Sequence, residues 1–185
     1  MDEIYGHLVT LTGFTDEDNT VLKKHKDQTQ SWGDEIVQDF YDTLFGYSST
    51  SEVFRKGERP DREETLRNWY FEVTSGELPK DFWNHQWFVG LVHIKRKVSN
   101  PYMFGMMSRV QQLFLGKCLQ EFPLDQVEEI FGAFKRLTDV IAGLIAEGYF
   151  INYVEAMVHV GGLNVELVDR MMHIEIENML EKHSK

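Results

Sequence analysis

The segment best suited to chemistry runs from residue 82 to residue 107, and His93 lies near its centre. This segment, FWNHQWFVGLVHIKRKVSNPYMFGMM, is rich in aromatic and aliphatic side chains. The preceding histidine, His85, is eight residues away, so the pair lacks the i, i+4 spacing of a helical zinc site. His93 is therefore either a hydrogen-bonded core histidine or the single protein ligand of a metal. A single neutral imidazole beside an apolar pocket is suited to a heme iron.

Other reactive arrangements are missing from the sequence. It contains no P-loop, no GxSxG and no HExxH pattern, and no dinucleotide-binding fingerprint follows a strand. Asp81 and Asp139 are isolated, as surface carboxylates usually are. Cys118 is the single cysteine and lies between apolar residues, which favours a buried, inert thiol and excludes a disulfide framework.

The charge balance bears on the kind of partner. The chain has 19 Lys and Arg against 30 Asp and Glu, a net charge of −11. Nucleic-acid surfaces need a basic stripe to neutralise phosphates, so we expect no nucleic-acid partner. The one dense basic cluster is Lys95-Arg96-Lys97. It is either a solvated helix end, where cations are favourable, or a place where a small anionic group docks.

Length and hydrophobicity limit the classes of protein to which this chain can belong. The chain has 185 residues, 42% of them hydrophobic, which is enough for one domain with a sizeable core. No apolar run approaches the roughly 20 residues of a membrane-spanning helix. The first ten residues, MDEIYGHLVT, lack the basic and apolar regions of a signal peptide. We therefore expect no membrane partner and a cytoplasmic location.

The coarse secondary structure is helical throughout. Apolar residues recur with helical spacing from Ile36 and again, for about five turns, from Val127. No stretch alternates with the period of a strand. Prolines are tolerated in first helical turns and disfavoured in helix interiors, so each of the four predicts the start of a helix: Pro60, Pro79, Pro101 and Pro123. These signals predict an all-α protein of about seven or eight helices.

A boundary is predicted at residues 160–162, Val-Gly-Gly. We therefore divide the chain into a domain of residues 1–160 and a C-terminal helical appendage of residues 161–185. The appendage has its own apolar stripe at helical spacing. It either packs back on its own domain, forms a dimer contact, or is a truncated signalling helix.

Four blocks in this order resemble the globin-coupled sensor family and its relatives, the single-domain sensor globins and protoglobins. They are DEIVQDFYDTLF (34–45), TLRNWYFEVTSG (65–76), QWFVGLVHIKRKVSNPYMFGMM (86–107) and, more weakly, LTDVIAGLIAEGYF (137–150). The spacing between blocks carries the resemblance, because Tyr41 precedes His93 by 52 residues and Gly76 precedes it by 17.

The resemblance implies a globin fold, in a sensor-globin variant with an extra N-terminal helix, enclosing heme b. His93 would be the proximal ligand of the iron. Tyr41 matches the distal tyrosine, whose hydroxyl would donate a hydrogen bond to a bound gas; the alternative is a core tyrosine that reaches the surface or a backbone carbonyl. Thr65 would be a second distal donor, or a threonine bonded to its own helix. The expected apolar walls are Phe40, Trp69, Val89, Met106, Met107 and Leu137.

The sequence departs from the family at one point on the proximal side. The family often has an aromatic pair after the proline, and the second aromatic can contact the proximal histidine. Here Tyr102 is followed by Met103. The resemblance therefore supplies no hydrogen-bond partner for the second nitrogen of His93.

The implied function is binding of O₂, NO or CO at iron, as a sensor or a carrier. The family usually continues into an output domain and this chain stops at Lys185, so we expect action through a separate signalling partner, a dimer state or ligand carriage. A homodimer through the last two globin helices, residues 102–122 and 125–153, is also expected. One alternative is an enzyme, an NO dioxygenase or peroxidase, which would need an external reductase. Another is a globin-like interaction module without heme.

Overall fold

The computed structural model describes residues 1–183, and every regular element in that part of the chain is a helix. This confirms the predicted all-α class. The described residues form nine helices rather than seven or eight, in part because α4 is a single turn of Ser and Thr with no apolar periodicity. The helices are α1 (Asp2–Thr12), α2 (Asp16–Gln30), α3 (Gly33–Gly46), α4 (Ser48–Ser51), α5 (Arg59–Ser75), α6 (Lys80–Arg96), α7 (Asn100–Glu121), α8 (Leu124–Gly161) and α9 (Val165–His183).

The four prolines mark helix starts, as predicted. Pro60 and Pro101 lie in the first turns of α5 and α7, where a missing N–H leaves no intrahelical bond unmade. Pro79 and Pro123 immediately precede α6 and α8 and hold extended backbone there. Proline chemistry thus fixes where α5 and α6 begin, and these two helices flank the cavity described below.

Helix α8 is the centre of the core. It packs against α1, α2, α5, α6 and α7, and its buried apolar residues run from Val127 to Ile145 with one more, Val158, near its end. The rings of Phe114 on α7 and Phe134 on α8 stack with their centroids 3.8 Å apart. Apolar burial of this extent is the main favourable contribution to folding. The helix indicated by the apolar periodicity from Val127 therefore forms the centre of the core.

Helix α8 is also the one described helix that is long and apolar enough to cross a membrane by length and composition. A core helix of a globular protein meets the same criterion. Its N-terminal two thirds pack into the core described above.

Helices α6 and α8 cross at two glycines. A Cβ added to Gly90 would lie 2.5 Å from the backbone nitrogen of Tyr149 and 2.6 Å from the carbonyl oxygen of Ile145. A Cβ added to Gly148 would lie 2.7 Å from the carbonyl oxygen of Trp87. Side chains cannot be accommodated at such distances. The two backbones therefore touch, and this contact fixes the distance between α6 and α8.

The C-terminal region differs from the rest in burial. Helix α8 ends at Gly161, and Gly162 takes a left-handed backbone with φ 61° before α9 begins. Helix α9 has no buried residue. Exposure begins earlier than the predicted boundary, since Phe150, Tyr153 and Met157 within α8 are already exposed. The division at residues 160–162 stays a prediction, and the last two residues of the predicted appendage, 184 and 185, lie outside the described residues.

Candidate functional site

A cavity of about 550 Å³ opens between α5 and α6. Its walls are mostly apolar and are completed by α3, α7, Ile145 of α8 and the segment around α4. Pockets for cofactor-sized ligands commonly measure about 300–1,000 Å³ and have mainly apolar walls. Eight of the nine predicted site residues line this cavity: Phe40, Tyr41, Thr65, Trp69, Val89, His93, Met106 and Met107.

Leu137 does not line the cavity, so its prediction as a wall residue is not matched by the structure. It is fully buried in the core formed around α8. The α8 residue in the cavity wall is Ile145, about two turns later. Because α8 is apolar on several faces, its sequence does not indicate which face lies under the cavity.

His93 lies one turn before the end of α6 and is half-buried against the cavity. Burial lowers the pKa of its imidazole to about 4, since the charged form loses solvation. Its Nδ1 is buried and has no hydrogen-bond partner among residues 1–183. The imidazole is therefore neutral at physiological pH, which is the form that ligates metals.

The backbone around His93 is held by the end of α6. The carbonyl of His93 accepts a hydrogen bond from the N–H of Val98 (N···O 3.0 Å), and Lys97 adopts a left-handed conformation with φ 59°. This double-bonded ending is the Schellman type, which glycine usually completes. Lysine at this position carries a steric cost that glycine would not.

Tyr41 projects from α3 into the same cavity and is 6% exposed. Its hydroxyl donates a hydrogen bond to the carbonyl of Arg62 on α5 (O···O 2.9 Å). Burial raises the pKa of Tyr41 to about 12, so the phenol stays protonated and remains a donor. The Tyr41 ring thus lies at the cavity, as the resemblance implies. Its hydroxyl is bonded to a backbone carbonyl, which is the alternative that the sequence left open.

Thr65 lies on α5 on the cavity wall, and its hydroxyl donates to the carbonyl of Asp61 one turn earlier (O···O 2.8 Å). This is the bond to its own helix that the sequence left open. A threonine hydroxyl rotates easily, so the same side chain can reorient toward a ligand.

Two polar features of the wall were not predicted. The first is Gln86, which is fully buried and lines the cavity. Its Oε1 accepts a hydrogen bond from the indole N–H of Trp69 (3.2 Å), and its amide donates to the carbonyl of Phe82 (3.3 Å). Gln86 precedes His93 by seven residues, or two helical turns. That spacing puts it on the face of α6 that carries His93, and it ties α6 to α5.

The second feature is an ion cluster at the cavity rim. Arg62 and Arg96 both line the cavity, and they flank the carboxylate of Glu58 at the start of α5. Glu58 Oε1 lies 2.6 Å from a terminal nitrogen of Arg96 and 3.5 Å from Nε of Arg62. The hydrogen bond from Arg96 is the main reason why the pKa of Glu58 falls to about 2. Of the predicted basic cluster, Arg96 therefore faces inward, whereas Lys95 and Lys97 are exposed.

Other metal chemistry has little support in residues 1–183. That range has no group of three or more His, Cys, Asp or Glu side chains placed to hold a metal ion. Cys118 is fully buried, and burial raises the pKa of its thiol to about 12, so it remains protonated. The cavity with His93 is thus the strongest candidate for a functional site.

Comparison with known proteins agrees with this architecture. The globin domain of a Geobacter sulfurreducens globin-coupled sensor superposes with a TM-score of 0.69, covering 80% of this chain and 97% of that domain at 21% identity. This similarity confirms the globin fold. An uncharacterized protein of Methanocaldococcus jannaschii is 22% identical over 116 residues, which are 60% of this chain and 61% of that relative. The match thus spans less than two thirds of the relative's length.

The sequence model of the protoglobin family matches residues 2–155. That range contains His93 and the other residues that line the cavity, from Phe40 to Ile145. With a globin architecture and a family match over most of its length, the chain belongs to the protoglobin family.

Proposed function

We propose that this protein binds heme b in the cavity, that His93 would hold its iron, and that the bound heme would take up a diatomic gas. Membership of a globin family implies a heme cofactor. The observation that carries the proposal is the His93 imidazole, which is neutral, lines an apolar cavity and has an unpartnered Nδ1. When bound, heme would supply an iron that can bind O₂, NO or CO.

The residues present fit this group. A flat macrocycle needs a gap between two helices with apolar walls, and the α5–α6 gap has such walls in Phe40, Val89, Met106 and Met107. A neutral imidazole already has a free nitrogen lone pair and need not lose a proton to bind iron, so the burial that keeps His93 neutral favours ligation. His85 also lines the cavity but is exposed, whereas His93 is half-buried.

Tyr41 and Thr65 are the proposed donors to the gas. The Tyr41 hydroxyl must first leave the Arg62 carbonyl, and exchanging one buried hydrogen bond for another costs little. The raised pKa of Tyr41 keeps the donor proton in place across the physiological range. A donor bond of this kind would stabilise a bound gas by about 1–3 kcal/mol.

We further propose that the protein acts as a cytoplasmic gas sensor or carrier that works through a partner. A homodimer is the first candidate. Apolar side chains are exposed along the C-terminal third of α8 at helical spacing, namely Phe150, Tyr153, Met157 and Val160. Helix α9 adds further exposed apolar residues. Exposed stripes of this extent indicate an interaction surface.

Absorption spectroscopy tests the heme proposal. Purified protein would be titrated with hemin and measured in the ferric, dithionite-reduced and gas-exposed states, beside His93→Ala and the control His85→Ala. We expect stoichiometric binding with a Soret band that shifts with the gas, is lost or broadened in His93→Ala, and is unchanged in His85→Ala. A spectrum indifferent to His93, or no stoichiometric binding, would favour a globin-like interaction module without heme.

A further inference from the structure

The rim of the cavity carries two arginines on facing helices. Arg62 lies on α5 and Arg96 on α6, and both line the cavity while remaining about one third exposed (33% and 29% of the side chain). Nε of Arg62 is buried and has no hydrogen-bond partner among residues 1–183. Among the described residues that line the cavity, Arg62 and Arg96 carry the positive charges and Glu72 is the one acidic residue.

The position between the arginines is taken by a carboxylate of the protein itself. Glu58 is 12% exposed, accepts a hydrogen bond from Arg96 and lies 3.5 Å from Nε of Arg62. Its second oxygen accepts the backbone N–H of Arg55 (3.0 Å). A guanidinium group recognises a carboxylate through paired, charge-assisted hydrogen bonds. The cluster therefore shows that one carboxylate fits at this rim.

We propose that Arg62 and Arg96 form the binding site for the carboxylate groups of the porphyrin, and that Glu58 is an internal carboxylate which those groups displace. The inference rests on the proposed function, because it names residues toward the same cofactor. Heme b carries two carboxylates at one edge, and they must face cations or solvent when the ring enters an apolar cavity. Arg62 and Arg96 supply cations where the cavity meets solvent.

The displacement has a consequence for the fold around the site. In the structure Glu58 joins the start of α5 to the end of α6 through Arg96, three residues after His93. When the porphyrin carboxylates take over the arginines, this link passes from the protein to the cofactor. Glu58 therefore competes with the cofactor for the arginines and lowers its net affinity.

The test compares two probes, hemin and iron protoporphyrin dimethyl ester, in which both carboxylates are esterified and uncharged. The rate of transfer to an excess of an apoprotein acceptor would be measured for the wild type and for Arg62→Gln, Arg96→Gln, Glu58→Gln and Lys95→Gln. Lys95 is the matched control, since it neighbours Arg96, is exposed and does not line the cavity.

We expect each arginine variant to lose hemin about 10-fold faster, the lower end of what a charge-assisted hydrogen bond contributes. The dimethyl ester should leave at nearly the wild-type rate. Glu58→Gln should lose hemin about 3-fold more slowly with no effect on the ester, since its amide binds the arginines more weakly than a carboxylate does. Lys95→Gln should change neither rate.

The ratio of the two rates protects the test from folding defects, because a damaged cavity would release both probes faster. Equal acceleration of hemin and ester, or no effect of either arginine, would overturn the inference while leaving heme binding intact. Faster hemin loss from Glu58→Gln would overturn the competing role of Glu58. Failure of both probes to bind the wild type would instead refute the proposed function, and this inference would fall with it.

Discussion

Replacing Gly90 by alanine tests the contact of α6 with α8 on which the position of His93 depends. A Cβ at this position would meet three backbone atoms of α8 at 2.5, 2.6 and 2.8 Å. Nonbonded heavy atoms are comfortable at about 3.5 Å or more, so the helices must separate by about 1 Å. Backbone in the middle of two long helices cannot move away as a flexible side chain can.

The magnitude follows from two opposing effects. Overpacking of a close-packed interior costs about 1–3 kcal/mol, and here the obstacle is backbone, which favours the upper end. Alanine in a helix interior contributes about 1 kcal/mol relative to glycine. We therefore expect Gly90→Ala to lower the free energy of unfolding by about 1–2 kcal/mol.

Gly116 of α7 is the matched control, because a Cβ at this position would meet nothing within 4 Å. Gly116→Ala should raise the free energy of unfolding by about 1 kcal/mol through helix propensity alone. Both variants would be measured by urea unfolding of the apoprotein, followed by circular dichroism. Equal or greater stability of Gly90→Ala relative to Gly116→Ala would refute the account of the α6–α8 crossing.

Three further predictions follow from the site and its surroundings. The unfolded chain binds a proton at His93 near pH 6.5, whereas the folded chain does so only near pH 4. The free energy of unfolding of the apoprotein should therefore fall by up to about 3 kcal/mol as the pH falls through this window. Urea unfolding of His93→Leu should show a correspondingly flatter pH profile. Lys97→Gly should raise stability by about 1 kcal/mol, because Lys97 is exposed and left-handed, while Lys95→Gly inside the helix should lower it by a similar amount. Deleting residues 163–185 should leave gas affinity nearly unchanged but alter the oligomeric state, and an identical monomer–dimer distribution by sedimentation would contradict this.

The parts of the fold that sequence could predict are those set by local chemistry. The prolines mark helix starts because their ring fixes φ and removes a donor, and Gly161-Gly162 marks the end of α8 because glycine tolerates a left-handed backbone. The spacing of His93 and Tyr41 matches a family pattern, and this spacing indicates both residues. His93 and Tyr41 line one cavity because the chain has the helix order of a globin.

The parts that sequence could not predict depend on how helices are rotated against one another. Leu137 and Ile145 are equally apolar, and packing alone decides that Ile145 reaches the cavity. Arg96 stands between two other cations, yet it is three residues after His93 and so shares its helix face. Helical phase relative to His93 would have identified both Arg96 and Gln86.

The partner of the Tyr41 hydroxyl could not be predicted either. Its bond to the Arg62 carbonyl requires that α3 and α5 lie side by side in one register. Hydrogen bonds between residues distant in sequence are a product of the completed fold, and a single sequence carries no local signal for them.

The contact of Gly90 with α8 gives the long helix the properties of a lever. The backbones of α6 and α8 touch there, with no side chains between them to absorb a displacement. We therefore expect a tilt of the helix that carries His93 to be passed to α8. From Gly148 to the last residue of α8, Gly161, the helix extends about 20 Å. A tilt of about 5° at the crossing would shift that end by about 2 Å. A small tilt of α6 at His93 would thus become a larger displacement at the exposed C-terminal end of α8.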